Sequence, residues 1–471
     1  MSRVLVKPFE LFEFGGEWFV YHIKSRRHHK VKESDISVIR SVYENTEKEL
    51  SEQEKEILKK NLLLSEDALD YEEETDKLVK NIKNIRQKNY PVTLELMVSQ
   101  SCNMHCEYCY GSEGNYHESG LMDFETAKRG LDWFRKNYPT DLPVKPQIVF
   151  FGGEPVMNFP VIKQSVDYAL SLFEKEGVGF GMATNMTLIT DEELDFFAGL
   201  DDFKMLVSVD GPENIHNKQR PLTDGRNSYN VTAECIRKAI SKGIVCTGRA
   251  TVYADTDRTL VAEEMKKLGL SNWQLSIVSG CAVDGITRND SNIVYERWLK
   301  EWPEKGVALV HAIKMRDLER AKELLSDEDF KNTFIRGISD NNISSDVMGC
   351  IAGRGQYALS ASGRLYPCHR FVGMDDFCYG DLSDFPLDAG WNEFKSERLE
   401  INKECRKCYL RYYCGGECYY QCYTDGPNKS IYGMSELFCE YNRMRMKLLV
   451  YFFNALSPED KRWFIRSLSG K

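Results

Sequence analysis

Residues 99–110 read SQSCNMHCEYCY and place thiols at Cys102, Cys106 and Cys109 in a C-x3-C-x2-C spacing. The apolar run 92–98 precedes them, so the motif lies on a loop leaving a strand. From there, strands alternate with amphipathic stretches. Strands are expected at 92–98, 147–151, 177–183, 204–209, 244–251 and 273–278, and helices at 124–136, 159–175, 190–198, 231–242 and 257–268. Strands spaced by helices of this length imply an α/β fold with a parallel sheet and right-handed crossovers, either doubly wound or curved into a complete or partial barrel.

The chain has 471 residues, enough for about three domains at ~150 residues each. Its net charge of −10, from 62 basic and 72 acidic residues, gives no general attraction to nucleic acid or anionic lipid. No stretch approaches the ~20 apolar residues of a membrane span, and the N-terminus lacks a secretory h-region, so a cytoplasmic protein is expected. Fifteen cysteines is an odd number. In a reducing compartment that argues for metal binding or catalysis over a disulfide scaffold. None precedes Cys102, and nine crowd between Cys350 and Cys439. Three thiolates on one short loop suit three irons of a [4Fe–4S] cube, leaving the fourth iron open to substrate or cofactor. The alternative is zinc closed by His105 or His117.

The loop resembles that of the radical S-adenosylmethionine (SAM) superfamily, which has this spacing and an aromatic residue before the third Cys, here Tyr108. Further motifs resemble the family at successive strand ends. Gly152-Gly153-Glu154-Pro155 is similar to its GGEP element, where Glu154 and backbone groups would receive the methionine ammonium. Thr184-Asn185 ends the third strand. Ser208 and Asp210 correspond to polar residues near the ribose, and Arg249 would meet the SAM carboxylate. The resemblance implies a partial (β/α)6 barrel with SAM and one [4Fe–4S] cluster on its C-terminal rim.

The second cysteine group, Cys350 and Cys368 followed by Cys405-x2-Cys408-x5-Cys414-x3-Cys418 and Cys439, resembles the SPASM domain with its two auxiliary [4Fe–4S] clusters. By that pattern Cys405, Cys408, Cys414 and Cys439 would bind auxiliary II, and Cys350, Cys368 and Cys418 auxiliary I. The position that gives some members a fourth auxiliary I ligand is Gln356 here, so that iron would be open or closed by Cys378 or Cys422. Cys235 and Cys246 read as core residues. Sulfatase-oxidising members carry an Asp after the second SPASM Cys. This chain has His369, in YPCHRFVG (366–373), which is similar to maturases that crosslink Cys thiols in ribosomally made peptides.

The expected organisation is a winged-helix-like peptide-recognition module at 1–85, the barrel at 86–305, a helical bridge at 306–345, the SPASM region at 346–445 and a C-terminal helix and tail at 446–471. The N-terminal module reads as a hairpin at 8–23 turning at Gly15-Gly16 and two helices, the second opened by a Ser51/Glu54 capping box. Residues 66–89 read as a charged, helical tether into the barrel, and 26–30 (RRHHK) as a solvated loop or an attractor for an acidic leader.

The resemblance implies an enzyme that cleaves SAM to methionine and a 5′-deoxyadenosyl radical and installs a thioether crosslink of the sactipeptide or ranthipeptide type. Its substrate would be a Cys-containing precursor peptide bound through its leader, and its partner an electron donor such as flavodoxin or ferredoxin. His369 and Cys281 are the candidate catalytic residues. The alternatives are carbon–carbon crosslinking, epimerisation, formylglycine-type oxidation, or a non-enzymatic Fe–S scaffold.

Overall fold

The computed structural model describes residues 5–45, 48–65, 71–86, 91–139, 143–283, 286–339, 349–382, 394, 396–426 and 428–469. Six parallel strands form its centre: β1 (Thr93–Gln100), β2 (Gln147–Gly152), β3 (Gly179–Thr184), β4 (Phe203–Ser208), β5 (Val245–Val252) and β6 (Asn272–Ile277). They lie side by side in chain order. A doubly wound sheet would reverse at a switch point, so this order is that of a partial barrel. Each strand lies within two residues of its expected place.

The crossover helices are α1 (Phe124–Asn137), α2 (Phe159–Leu172), α3 (Asp191–Ala198), α4 (Tyr229–Ser241) and α5 (Arg258–Lys267). Side-chain caps start three of them: Asp123 for α1, the Thr190/Glu193 capping box for α3, and Asp257 for α5. The period of two decides which residues meet them. In β1, Leu94, Leu96 and Val98 join the core with Leu131 and Phe134 of α1. Met97, from the alternate set, joins a separate cluster with Tyr116 and Tyr366, and Glu95 belongs to that same alternate set.

The sheet does not stop at the barrel. The free edge of β1 takes on β7 (Gln356–Leu359), parallel, with Gln356 opposite Thr93. Then come β8 (Arg364–Tyr366) and β9 (Gly380–Asp381), both antiparallel. The cysteine-rich region is thus hydrogen-bonded to the barrel through one continuous sheet. Helix Asp290–Lys314 crosses the expected boundary at 305, and helix Glu436–Ala455 crosses the one at 445. These two helices pack on each other through Tyr295, Trp298, Trp302 and Tyr441, a continuity that composition along the chain does not carry.

At the N-terminus, Phe9–Phe14 and Glu17–His22 form the expected hairpin, with positive φ at Gly15 and Gly16. Its faces divide the apolar residues. Phe12, Phe19 and Tyr21 pack towards the long helices, and Phe9, Leu11 and Val20 towards helices Glu33–Glu44 and Glu52–Lys60. The Ser51/Glu54 capping box forms. One segment differs from expectation. His28–Lys30 is a third strand paired with Glu17–His22, not a loop. Burial holds His28 down to about 4, which removes its charge from the basic run at neutral pH. Tyr71–Arg86 is the helix expected there, and it docks on the cysteine-rich region: Arg406 binds Glu72 and Asp76, Lys83 binds Glu400, and Val79 and Ile82 pack on Leu399.

Candidate functional site

The cysteine loop leaves β1 and is held from two sides. On one, the His105 N–H donates to Pro221 O (2.9 Å) and Glu107 N–H to Gln219 O (3.2 Å). On the other, Gly153 N–H donates to Ser99 O (2.7 Å) and Glu154 N–H to Ser101 O (2.9 Å). That second contact explains the paired glycines. At Gly152, whose φ is +138°, a Cβ would lie 2.0 Å from Ser99 O, and at Gly153 it would lie 2.3 Å from Ser101 O. Backbone cannot give way as a side chain can, so only glycine fits.

Cys102, Cys106 and Cys109 line one cavity of about 380 Å³ with Tyr108, Gly152, Gly153, Asn185, Ser208 and Arg249. Nine motif residues, from four strands and the loop, therefore converge. Burial raises the Cys102 and Cys106 thiols to about 12, protons that a bound metal would have to displace. Neither His105 nor His117 lines this cavity. His105 lies 3.4 Å from Glu113 with more than half its side chain exposed, and the His117 ring contacts Ser112. Among the described residues no three His, Cys, Asp or Glu side chains close to the spacing of a single metal ion. A cavity rimmed by three thiols fits a cluster better than a closed zinc tetrahedron.

Glu154 is buried behind this wall. Its oxygens accept hydrogen bonds from Thr184 Oγ1 (2.7 Å) and Asn185 N–H (2.7 Å), and burial pushes its carboxyl up to about 7. A neighbouring cation would restore the ionised form. Pro155 starts a 3-10 turn, and its lack of an N–H costs nothing there. Asn185 also donates to Asn103 Oδ1 (2.9 Å), tying β3 to the loop. Asp210 does not line the cavity. It accepts from the Tyr108 hydroxyl, Arg220 Nε (2.9 Å) and Thr251 N–H (2.9 Å), which ties the loop to β4 and β5. Arg249 donates to Gln274 Oε1 (2.8 Å), and burial followed by the nearby Arg370 lowers its pKa.

The segment that follows Cys368 in the second cysteine group reaches the same cavity. His369 and Arg370, directly after Cys368, complete its lining. The ring of His369 stacks on Phe151 at 4.3 Å, with Nδ1 2.7 Å from Glu95 Oε1, and its backbone N–H donates to the other oxygen of that carboxylate (2.8 Å). Glu95 escaped the sequence reading, although a lone acidic residue in the apolar TLELMV run was its signal. The Arg370 guanidinium lies over the Tyr110 and Tyr420 rings at 5.1 and 5.4 Å.

Cys350, Cys368 and Cys418 pack into one cluster with Phe371 and Tyr419. Gln356 is committed to β7. Cys378 belongs to a different cluster, with Met97 and Tyr366. Cys422 is fully buried one turn beyond Cys418. Cys405, Cys408, Cys414 and Cys439 line a single cavity of about 590 Å³, with room for a cluster. Cys235 and Cys246 lie in the core, as expected. Cys281 falls in the strand Ser279–Val283, and its side chain lies outside the described residues.

This arrangement of loop and strand ends has known parallels. Residues 96–263 match the family model of the radical SAM superfamily. An uncharacterized protein of Methanocaldococcus jannaschii is 36% identical over 135 residues, which is 29% of this chain and only 44% of that protein. A cysteine-type anaerobic sulfatase-maturating enzyme of Clostridium perfringens is 24% identical over 369 residues, 68% of this chain and 86% of its own. Sporulation killing factor maturation protein SkfB of Bacillus subtilis is 26% identical over 135 residues, 29% of this chain and 30% of its own. Among solved structures, anSMEcpe with bound AdoMet and Cp18Cys peptide gives a TM-score of 0.57 at 17% identity, covering 80% of this chain and 99% of that one. Streptococcus suis SuiB bound to precursor peptide SuiA gives 0.51 at 16%, covering 92% and 98%. The likeness to these structures is one of fold. No helix among the described residues is long and apolar enough to cross a membrane.

Proposed function

We propose that this chain is a radical SAM maturase that joins a cysteine sulfur to carbon within a ribosomally made precursor peptide. One observation carries the reading: a single cavity is lined both by the Cys102, Cys106 and Cys109 loop and by His369 and Arg370, which follow Cys368. A peptide entering it meets both groups at once. Relatives named for the maturation of proteins or peptides support a peptide substrate.

In this reading Cys102, Cys106 and Cys109 hold the SAM cluster. Glu154 compensates the methionine ammonium, Arg249 pairs with the carboxylate, and Tyr108, Asn185 and Ser208 border the rest of SAM. Cys350, Cys368 and Cys418 hold auxiliary I, and Cys405, Cys408, Cys414 and Cys439 hold auxiliary II. The cluster and SAM held by these residues would, given one electron from a flavodoxin- or ferredoxin-like donor, supply 5′-deoxyadenosyl radical chemistry for removing hydrogen from a C–H bond. The residues position that C–H bond and exclude water. His369, fixed by Glu95 and Phe151, presents its ring to an incoming thiol where a sulfatase maturase would carry a carboxylate. With Gln356 in β7 and Cys378 in another cluster, auxiliary I would have the three thiols of Cys350, Cys368 and Cys418, and an iron left open there would receive the substrate thiolate; Cys422, one turn beyond Cys418, is the alternative fourth ligand.

The test is anaerobic reconstitution, then incubation with SAM, reductant and a short Cys-containing peptide encoded beside the gene. The expected product has lost two hydrogens and one alkylatable thiol by tandem mass spectrometry. A product that keeps every alkylatable thiol overturns the thioether reading, and an aldehyde in place of a thiol would assign formylglycine chemistry instead.

A further inference from the structure

We infer that Arg220 is a positioning residue which, with Asp210, sets the charge beside Cys106 and so the ease with which a cluster on this loop accepts an electron. The inference rests on Cys102, Cys106 and Cys109 being cluster ligands. Arg220 is largely buried, 8% exposed, in the segment that also anchors the loop backbone. Its Nε donates to Asp210 Oδ2 at 2.9 Å, its Nη1 lies 4.0 Å from Cys106 Sγ, and its guanidinium covers the Tyr108 ring at 5.2 Å.

A pair that served packing alone would end at its own hydrogen bonds, and a buried ion pair is weak in stability terms. Here the cation reaches past its carboxylate to the sulfur. Asp210, with no exposed surface, is fixed further by Thr251 N–H and the Tyr108 hydroxyl. One electron from a low-potential one-electron donor adds one negative charge to the cluster. No bond in the protein forms or breaks, and Arg220 keeps its proton throughout. A fixed cation at the thiolate stabilises the more negative form, and the anion behind it opposes that effect.

Full-length protein, reconstituted anaerobically, is titrated with Ti(III) citrate while following the electron paramagnetic resonance signal that changes on adding SAM. R220Q is expected to lower the reduced-to-oxidised ratio at fixed potential at least tenfold, ~59 mV for a one-electron couple. D210N is expected to raise it, R220K to stay closer to the parent than R220Q, and D210N/R220Q to return towards the parent value. If R220Q does not fold, D210N and R220K decide. A purely structural pair predicts that both single variants move the potential alike or not at all, and either result overturns the inference. A parent protein with no SAM-responsive signal removes the cluster reading itself, a result distinct from an unmoved potential.

Discussion

Gly153 and Glu154 show how much one residue decides at this site. The backbone of Gly153 meets Ser101 O where a Cβ would be 2.3 Å away, so Gly153→Ala must push the cysteine loop off its seat. Iron analysis of the reconstituted variant should fall by about four atoms per chain, one cluster's complement, with the remaining clusters kept. Glu154 gives a pH prediction for the metal-free protein. Burial raises its carboxyl from 4.5 to about 7, so between those values the folded state holds a proton that the unfolded state releases. Stability therefore falls as pH rises through that window and levels off above it, by on the order of 3 kcal/mol for this group. Glu397 and Glu417 are displaced in the same direction, chiefly by burial, so E154Q should remove one share of the slope in a thermal-melt series and not the whole.

At the scale of elements, the helix Tyr71–Arg86 ties the N-terminal module to the wall of the Cys405 cavity, where Ile82 is part of the lining. Its polar clamps, Arg406 with Glu72 and Asp76 and Lys83 with Glu400, are largely solvent-facing. Such pairs contribute at most ~1 kcal/mol each. The apolar contacts of Val79 and Ile82 with Leu399 dominate, since truncating a buried Ile costs about 2–5 kcal/mol. Hydrogen exchange across 71–86 should accelerate strongly in Ile82→Ala and little in Arg406→Ala; equal acceleration would mean that the ion pairs hold the helix. The acidic run at 72–76 reads from sequence as a charged helical tether, and its docking is not legible, because its partner Arg406 is more than 300 residues away.

For the whole molecule, β7 makes barrel and cysteine-rich region one sheet. The β1 strand is almost wholly buried, so removing residues 346–471 would bare an apolar strand edge. The truncated chain should aggregate or melt well below the intact protein, and calorimetry of the intact protein should give one transition across barrel and β7–β9; a soluble 1–345 fragment with an unchanged melt would contradict this. The barrel strands were legible because the 2.0 and 3.6 periods are local, and the cysteine groups because metal-ligand spacings survive in linear sequence. The β7 junction, the Asp210–Arg220 pair and Glu95 beneath His369 were not, since each joins residues that periodicity treats separately. Asp210 shows the difference: its motif puts it just beyond a strand end, but only the fold reveals that Tyr108, Arg220 and Thr251 occupy its carboxylate.

The central claim is that hydrogen abstraction and thiol consumption occur on one peptide in one cavity. Its most direct test is a precursor peptide deuterated at carbon and incubated with reconstituted enzyme, SAM and reductant, reading 5′-deoxyadenosine and peptide together by mass spectrometry. Deuterium should appear in 5′-deoxyadenosine in step with the loss of an alkylatable thiol, and Cys102→Ala should abolish both. Deuterium transfer with every thiol retained, or a Cys102→Ala protein that behaves like the parent, would contradict the account.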